Sequence, residues 1–87
     1  ETPVFTVTGR ISALARDQAG RPYFVLKQAV VSELGEEMTV AVFLPEEACG
    51  AWKEGDQMQV TGAMSWKGAP GVALSDGYFY HAVLAEK

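Results

Sequence analysis

Val4-Phe5-Thr6-Val7-Thr8-Gly9-Arg10-Ile11-Ser12-Ala13-Leu14 is the stretch on which the fold turns, and part of it comes back: Val7-Thr8-Gly9 returns as Val60-Thr61-Gly62. In the first copy Phe5, Val7, Gly9, Ile11 and Ala13 fall on one side, and Thr6, Thr8, Arg10 and Ser12 on the other. That period of two, carried by β-branched residues, is the pattern of a half-buried strand. Glycine weakens a strand interior and marks a bulge, a bend or a close backbone approach. Such points near opposite ends of an all-strand pattern predict a sheet that curls shut. The tripeptide is far shorter than the roughly 20–50 residues of a structural repeat, so it marks curvature rather than duplication.

Outward from there the punctuation is regular. Arg16–Pro22 (RDQAGRP) is a polar turn in which Asp17 and Gly20 supply the chemistry. A second strand runs from Tyr23 to about Val31, with Phe24 and Leu26 on one face and Tyr23, Val25 and Lys27 on the other. Ser32–Glu37 (SELGEE) is an acidic hairpin loop around Gly35, and Met38–Leu44 is a third strand. Pro45 stops that strand and opens a short helix of about two turns, favoured by Glu46 and Glu47 near the positive end of its dipole. Gly55 ends it. Gln57–Trp66 is a fourth strand, Lys67–Gly71 (KGAPG) a turn, and Val72–Leu84 a last extended stretch broken at Asp76-Gly77.

At 87 residues, with 48% hydrophobic and 21% charged residues, the chain has the size and composition of one globular domain spanning residues 1–87. It carries no apolar run near the ~20 residues of a membrane helix, so no membrane partner is expected. It starts at Glu1 rather than Met and is read as a trimmed or processed product whose targeting segment would be lost. A single cysteine, Cys49, forms no intramolecular disulfide and leans toward a reducing compartment, so the expected location is the cytoplasm. No CxxC pair or His/Cys cluster holds zinc, so no metal or cofactor is expected. The net charge of −4 disfavours tight nonspecific polyanion binding but leaves room for a local basic groove.

Three strands, a short helix and two further strands form the order of an all-β, five-stranded Greek-key OB-fold barrel with its one helix between strands three and four. The runs VTGRISAL, GRPYFVLK, MTVAVFLP and KEGDQMQVTGAM resemble the OB-fold nucleic-acid-binding group, and are most similar to the small tRNA-anticodon-like OB domains. The resemblance covers Phe5 to about Tyr78, and its most telling piece is Glu54-Gly55-Asp56 leading into the alternating Gln57–Gly62. It implies a base-stacking role for Tyr23, three residues before Leu26, and a basic contact at Lys27. Lys27-Gln28 stands where such relatives often carry Arg-Asp, and the Ala29–Glu37 loop is acidic, which turns the expected ligand from tRNA toward single-stranded DNA.

An OB barrel presents strands two and three with the loops between strands one and two and between four and five. That places Tyr23, Val25, Lys27, Thr39, Ala41 and Phe43 on its outer face. Arg16 and Arg21 flank them on one side, Trp66 and Lys67 on the other, and Arg10 leaves the first strand toward solvent. Aromatic faces beside cations suit single-stranded nucleic acid, whose bases stack while Lys or Arg follows the backbone. The acidic Glu33, Glu36, Glu37, Glu46, Glu47 and Glu54 fall on the far loop and the helix. The expected function is therefore a non-enzymatic module binding single-stranded nucleic acid through Tyr23, Phe43 and Trp66 with Arg10, Arg16, Arg21, Lys27 and Lys67.

Plainer readings stand beside this one. Tyr23 and Phe43 serve equally as cross-strand neighbours that stabilise the sheet. Trp66 serves as a cover for a barrel end, Trp52 as a core plug from the helix, and Cys49 as a small hydrophobe. Met38, Met58, Met64, His81 and Cys49 are soft ligands of the kind that suit Cu(I), but their strand spacing fits core packing. No nucleophile–histidine pair or catalytic carboxylate pair has a recognisable context, so no enzyme activity is expected. The rival function is a protein-interaction or oligomerisation module that uses the same apolar face or the Tyr78–Leu84 edge.

Overall fold

A computed structural model describes residues 4–66, 71–72 and 75–86, with residues 80–86 described as strand backbone alone. Strands β1 (Val4–Arg16), β2 (Pro22–Val31) and β3 (Glu36–Phe43) precede a short helix α1 (Glu46–Cys49), and β4 (Gln57–Ser65) and β5 (Gly77–Glu86) follow it. The sheet closes into a ring in the order β1-β2-β3-β5-β4, with β4 returning to β1. All neighbours are antiparallel except β3 and β5. The all-β order and the closure expected from the two Val-Thr-Gly stretches are both present.

Inside the ring lies one core built from alternate residues: Val7 and Ile11 of β1, Phe24 and Leu26 of β2, Val40 and Val42 of β3, Met58, Val60 and Met64 of β4, and Phe79 of β5. Each such fully buried apolar side chain contributes about 1.5–3 kcal/mol relative to exposure. Met58 and Met64 are core residues, and Met38 packs against the same cluster. Trp52 follows α1 and is 7% exposed, plugging the core as its position after the helix suggests.

The helix is shorter than its composition predicts. Pro45 is its N-cap, extended at φ −60 and ψ 150, and its carbonyl accepts from Ala48 N at 3.0 Å. Beyond Cys49 the chain tightens: Ala51 N reaches Ala48 O at 3.4 Å and Trp52 N reaches Cys49 O at 3.2 Å. These i to i+3 bonds around Gly50 swing Trp52 inward and stop the α-helix after one turn.

Two local devices set the shape of the wall. β2 carries a bulge between Leu26 and Ala29, and Gln28 there has φ 55. Gly9 lies beneath it: a Cβ on Gly9 would stand 2.9 Å from Ala29 Cβ and 3.2 Å from Leu26 Cβ. The expected close approach in the first strand is thus a contact with the β2 bulge. The seam between β3 and β5 is brief, pairing Val40–Val42 with Gly77–Phe79. Asp76 lengthens it, donating its N–H to Thr39 O at 2.7 Å while its carboxylate accepts from Thr39 N at 2.9 Å. At the other end of the ring Glu33 accepts from Thr6 N at 2.9 Å, and Ser32 N donates to Thr6 O at 2.9 Å.

Gly9→Ala is expected to destabilise the domain by about 1–3 kcal/mol, because the bulge has no room to give to a methyl group. Urea unfolding of the variant checks this, and an unchanged midpoint would show that the β1–β2 approach is not tight.

Candidate nucleic-acid interface

The outer wall of β2 and β3 carries a small second cluster. Tyr23 is opposite Phe43 in register, and Val25 is opposite Ala41. On the far side Ala41 pairs with Tyr78 of β5. Tyr23 and Ala41 are buried here, and Val25, Phe43, Val72 and Tyr78 pack against them. The Tyr23 and Phe43 rings lie 5.3 Å apart at a tilt of 40°, and Tyr78 meets Phe43 edge-on at 6.0 Å. Tyr23 is therefore not the open ring that strand alternation predicts. Its outward position is as expected, but at 9% exposure it is covered by its neighbours. The cross-strand partnership of Tyr23 and Phe43 is present, and Tyr78, read in sequence as part of a terminal edge, belongs to the same wall.

Phe43 keeps a cation over its face. Arg21 Cζ lies 4.9 Å from its ring centroid. Arg21 is held there by Asp17, with Nη2 2.8 Å and Nε 2.9 Å from Asp17 Oδ2. Asp17 Oδ1 accepts from Ala19 N and Arg21 N, both at 2.9 Å, so one carboxylate organises the whole turn. Gly71, at φ +78, brings the chain after β4 against that turn: a Cβ on it would stand 3.3 Å from Gln18 N and 3.4 Å from Asp17 Cβ.

Arg16 lies at the other side of the turn in a two-pronged ion pair with Glu46, at 2.8 and 3.1 Å. This corrects the expected separation of charges. Glu46 does not face away from the basic loop but closes on it, because the helix start packs beside the end of β1. The pair raises the Arg16 pKa, through hydrogen bonding first and charge second, and lowers that of Glu46 for the same reasons. A cleft of about 230 Å³ runs beneath, lined by Leu14, Ala15, Arg16, Pro22, Tyr23, Phe24 and Cys49. Burial, aided by Glu46, pushes the Cys49 thiol up, which keeps it protonated and weakly nucleophilic at neutral pH.

The remaining candidates stand apart from the aromatic cluster. Trp66 is 45% exposed and meets Phe5 edge-on at 5.1 Å. Phe5 packs on the main core, so Trp66 sits at an end of the ring. Arg10 and Lys27 are both exposed and directly opposite one another on β1 and β2. Lys67 and the side chain of His81 lie outside the described residues. Among the described residues no group of three His, Cys, Asp or Glu side chains could hold a metal ion. No helix of the described residues is long and apolar enough to cross a membrane.

Burial pushes the Asp17 carboxyl up, but donors from Arg21 and Ala19 outweigh it and leave the pKa below its ordinary value. A group depressed in the folded state stabilises fully above its unfolded pKa, and that stability is lost as pH falls through the folded one. Thermal melts from neutral to acid pH are thus expected to fall more steeply for wild type than for Asp17→Asn; parallel curves would refute this. Set against models of known protein families, curated proteins and solved structures, the chain matches none, so its function is read from its own geometry.

Proposed function

We propose that the chain is an OB-fold module that binds single-stranded nucleic acid, DNA rather than tRNA, without catalysing a reaction. The ring order β1-β2-β3-β5-β4, with a helix between β3 and β4, supports the OB Greek-key reading. The observation that carries the ligand is the outer wall of β2: Tyr23, Val25 and Lys27 alternate along it, and Phe43, Arg21 and Arg10 are its immediate neighbours. An aromatic surface running into cations offers a base and its phosphate two matching partners.

The roles differ from residue to residue. Tyr23 is the floor beneath Phe43, and the Arg21 guanidinium over Phe43 is the plane a base meets first. Trp66 adds an exposed ring at the end of the barrel. Arg10 and Lys27 neutralise phosphates, whereas Arg16 and Arg21 do so after exchanging their carboxylate partners.

Fluorescence anisotropy of labelled oligo(dT), at low and high salt, tests this reading. Wild type is expected to bind at low salt and to release the strand at high salt. Trp66→Ala is expected to weaken binding by about 1 kcal/mol or more, within the range of one stacked base, and Arg21→Ala by less. No binding at low salt overturns the reading. Light scattering of the same sample then reports the rival, self-association through the apolar wall.

A further inference from the structure

Arg10 and Lys27 are like charges placed face to face. Their Cα atoms are direct partners across β1 and β2, and on the other side of Arg10 stands Gln57 of β4. Like charges directly opposite on a sheet destabilise it. The two salt bridges among the described residues belong to Arg16 with Glu46 and to Arg21 with Asp17. The row across β2, β1 and β4 reads Lys27, Arg10, Gln57, with no acid; the neighbouring row reads Val30, Thr8, Gln59, and its acids stand one strand further out, Glu37 opposite Val30 and Glu86 opposite Gln59. The backbone brings the pair together at some cost: the Leu26–Ala29 bulge, with Gln28 at φ 55 and Gly9 beneath it, sets Lys27 abreast of Arg10.

We propose that Arg10 and Lys27 form a two-cation clamp for one phosphate group, and that this clamp, rather than the ion-paired Arg16 and Arg21, makes the first contact with a nucleic-acid backbone. An arginine fork supplies paired N–H donors to two phosphate oxygens, and the lysine adds a compact charge from the next strand. Gln57 lies within the same row to accept or donate a neutral hydrogen bond. This deepens the nucleic-acid reading by naming its phosphate site, yet the clamp stands without it, since free phosphates offer the same oxygens.

The test uses Arg10→Gln and Lys27→Gln, with Arg16→Gln as comparison and two probes, oligo(dT) and inorganic pyrophosphate. Each clamp variant is expected to keep or raise the thermal midpoint at low salt without ligand, because the repulsion is gone. Each is also expected to reduce the slope of log affinity for oligo(dT) against log salt by about 0.7, one single-strand phosphate contact. Arg16→Gln is expected to change that slope less than either clamp variant, because Arg16 must first give up Glu46. Pyrophosphate is expected to shift the amide resonances of Arg10 and Lys27 in wild type and not in the variants. If oligo(dT) binds and both clamp variants keep the wild-type slope, the clamp is overturned and the nucleic-acid reading survives. If pyrophosphate shifts those amides but oligo(dT) does not bind, the clamp stands and the nucleic-acid reading falls. If neither probe acts, the clamp is overturned.

Discussion

The missing side chain at Gly9 is the constraint on which the outer wall depends. With a Cβ of Gly9 no further than 2.9 Å from Ala29 Cβ, β1 and β2 can approach only because that atom is absent. The approach accommodates the bulge at Gln28-Ala29, and the bulge reverses the phase of β2. Before it, Tyr23, Val25 and Lys27 point outward; after it, Ala29 and Val31 point inward and join the core. An unbroken strand would carry Ala29 and Val31 out with Lys27. One glycine therefore lets a single strand serve the outer wall with its first half and the core with its second.

Electrostatics follow from the same geometry. A chain of net charge −4 needs its cations placed with care if any are to meet an anion. The turn between β1 and β2 uses its arginines structurally: Arg21 closes the Asp17 turn and covers Phe43, and Arg16 ties that turn to α1 through Glu46. The Arg16–Glu46 pair is exposed on both sides and individually weak, so it orders the loop more than it stabilises the domain. Arg10 and Lys27, on the wall itself, do no such work: neither belongs to a salt bridge among the described residues.

Much of this was legible in the chain, and what was not has a common cause. Alternation located the strands, Pro45 ended the third, and Trp52 followed the helix into the core. The partnership of Tyr23 with Phe43 was accessible because alternation alone puts both on the outer face of adjacent strands. The phase reversal at Gln28 was not, since a bulge depends on what crosses beneath it, and Gly9 is far away in sequence. Tyr78 was read with a terminal edge because the parallel pairing of β5 with β3 is nonlocal and brief. Glu46 was assigned to the far side for the same reason: its partner Arg16 lies thirty residues away.

The two halves of the wall differ in what they retain for a ligand. Tyr23 is covered, Phe43 already holds Arg21 on its face, and Tyr78 meets the same ring. A base arriving there exchanges one π-contact for another, so its net gain falls below the ~1–3 kcal/mol that stacking on an open ring supplies. The Arg10–Lys27 half has no such prior engagement, and an anion there relieves a repulsion as well as forming a bond. On the proposed reading, binding begins at the cations and reaches the aromatics second, when Arg21 yields part of its hold on Asp17. The order matters for specificity: phosphate contacts carry no sequence information, so a wall that binds in this order holds a strand loosely and reads little of it.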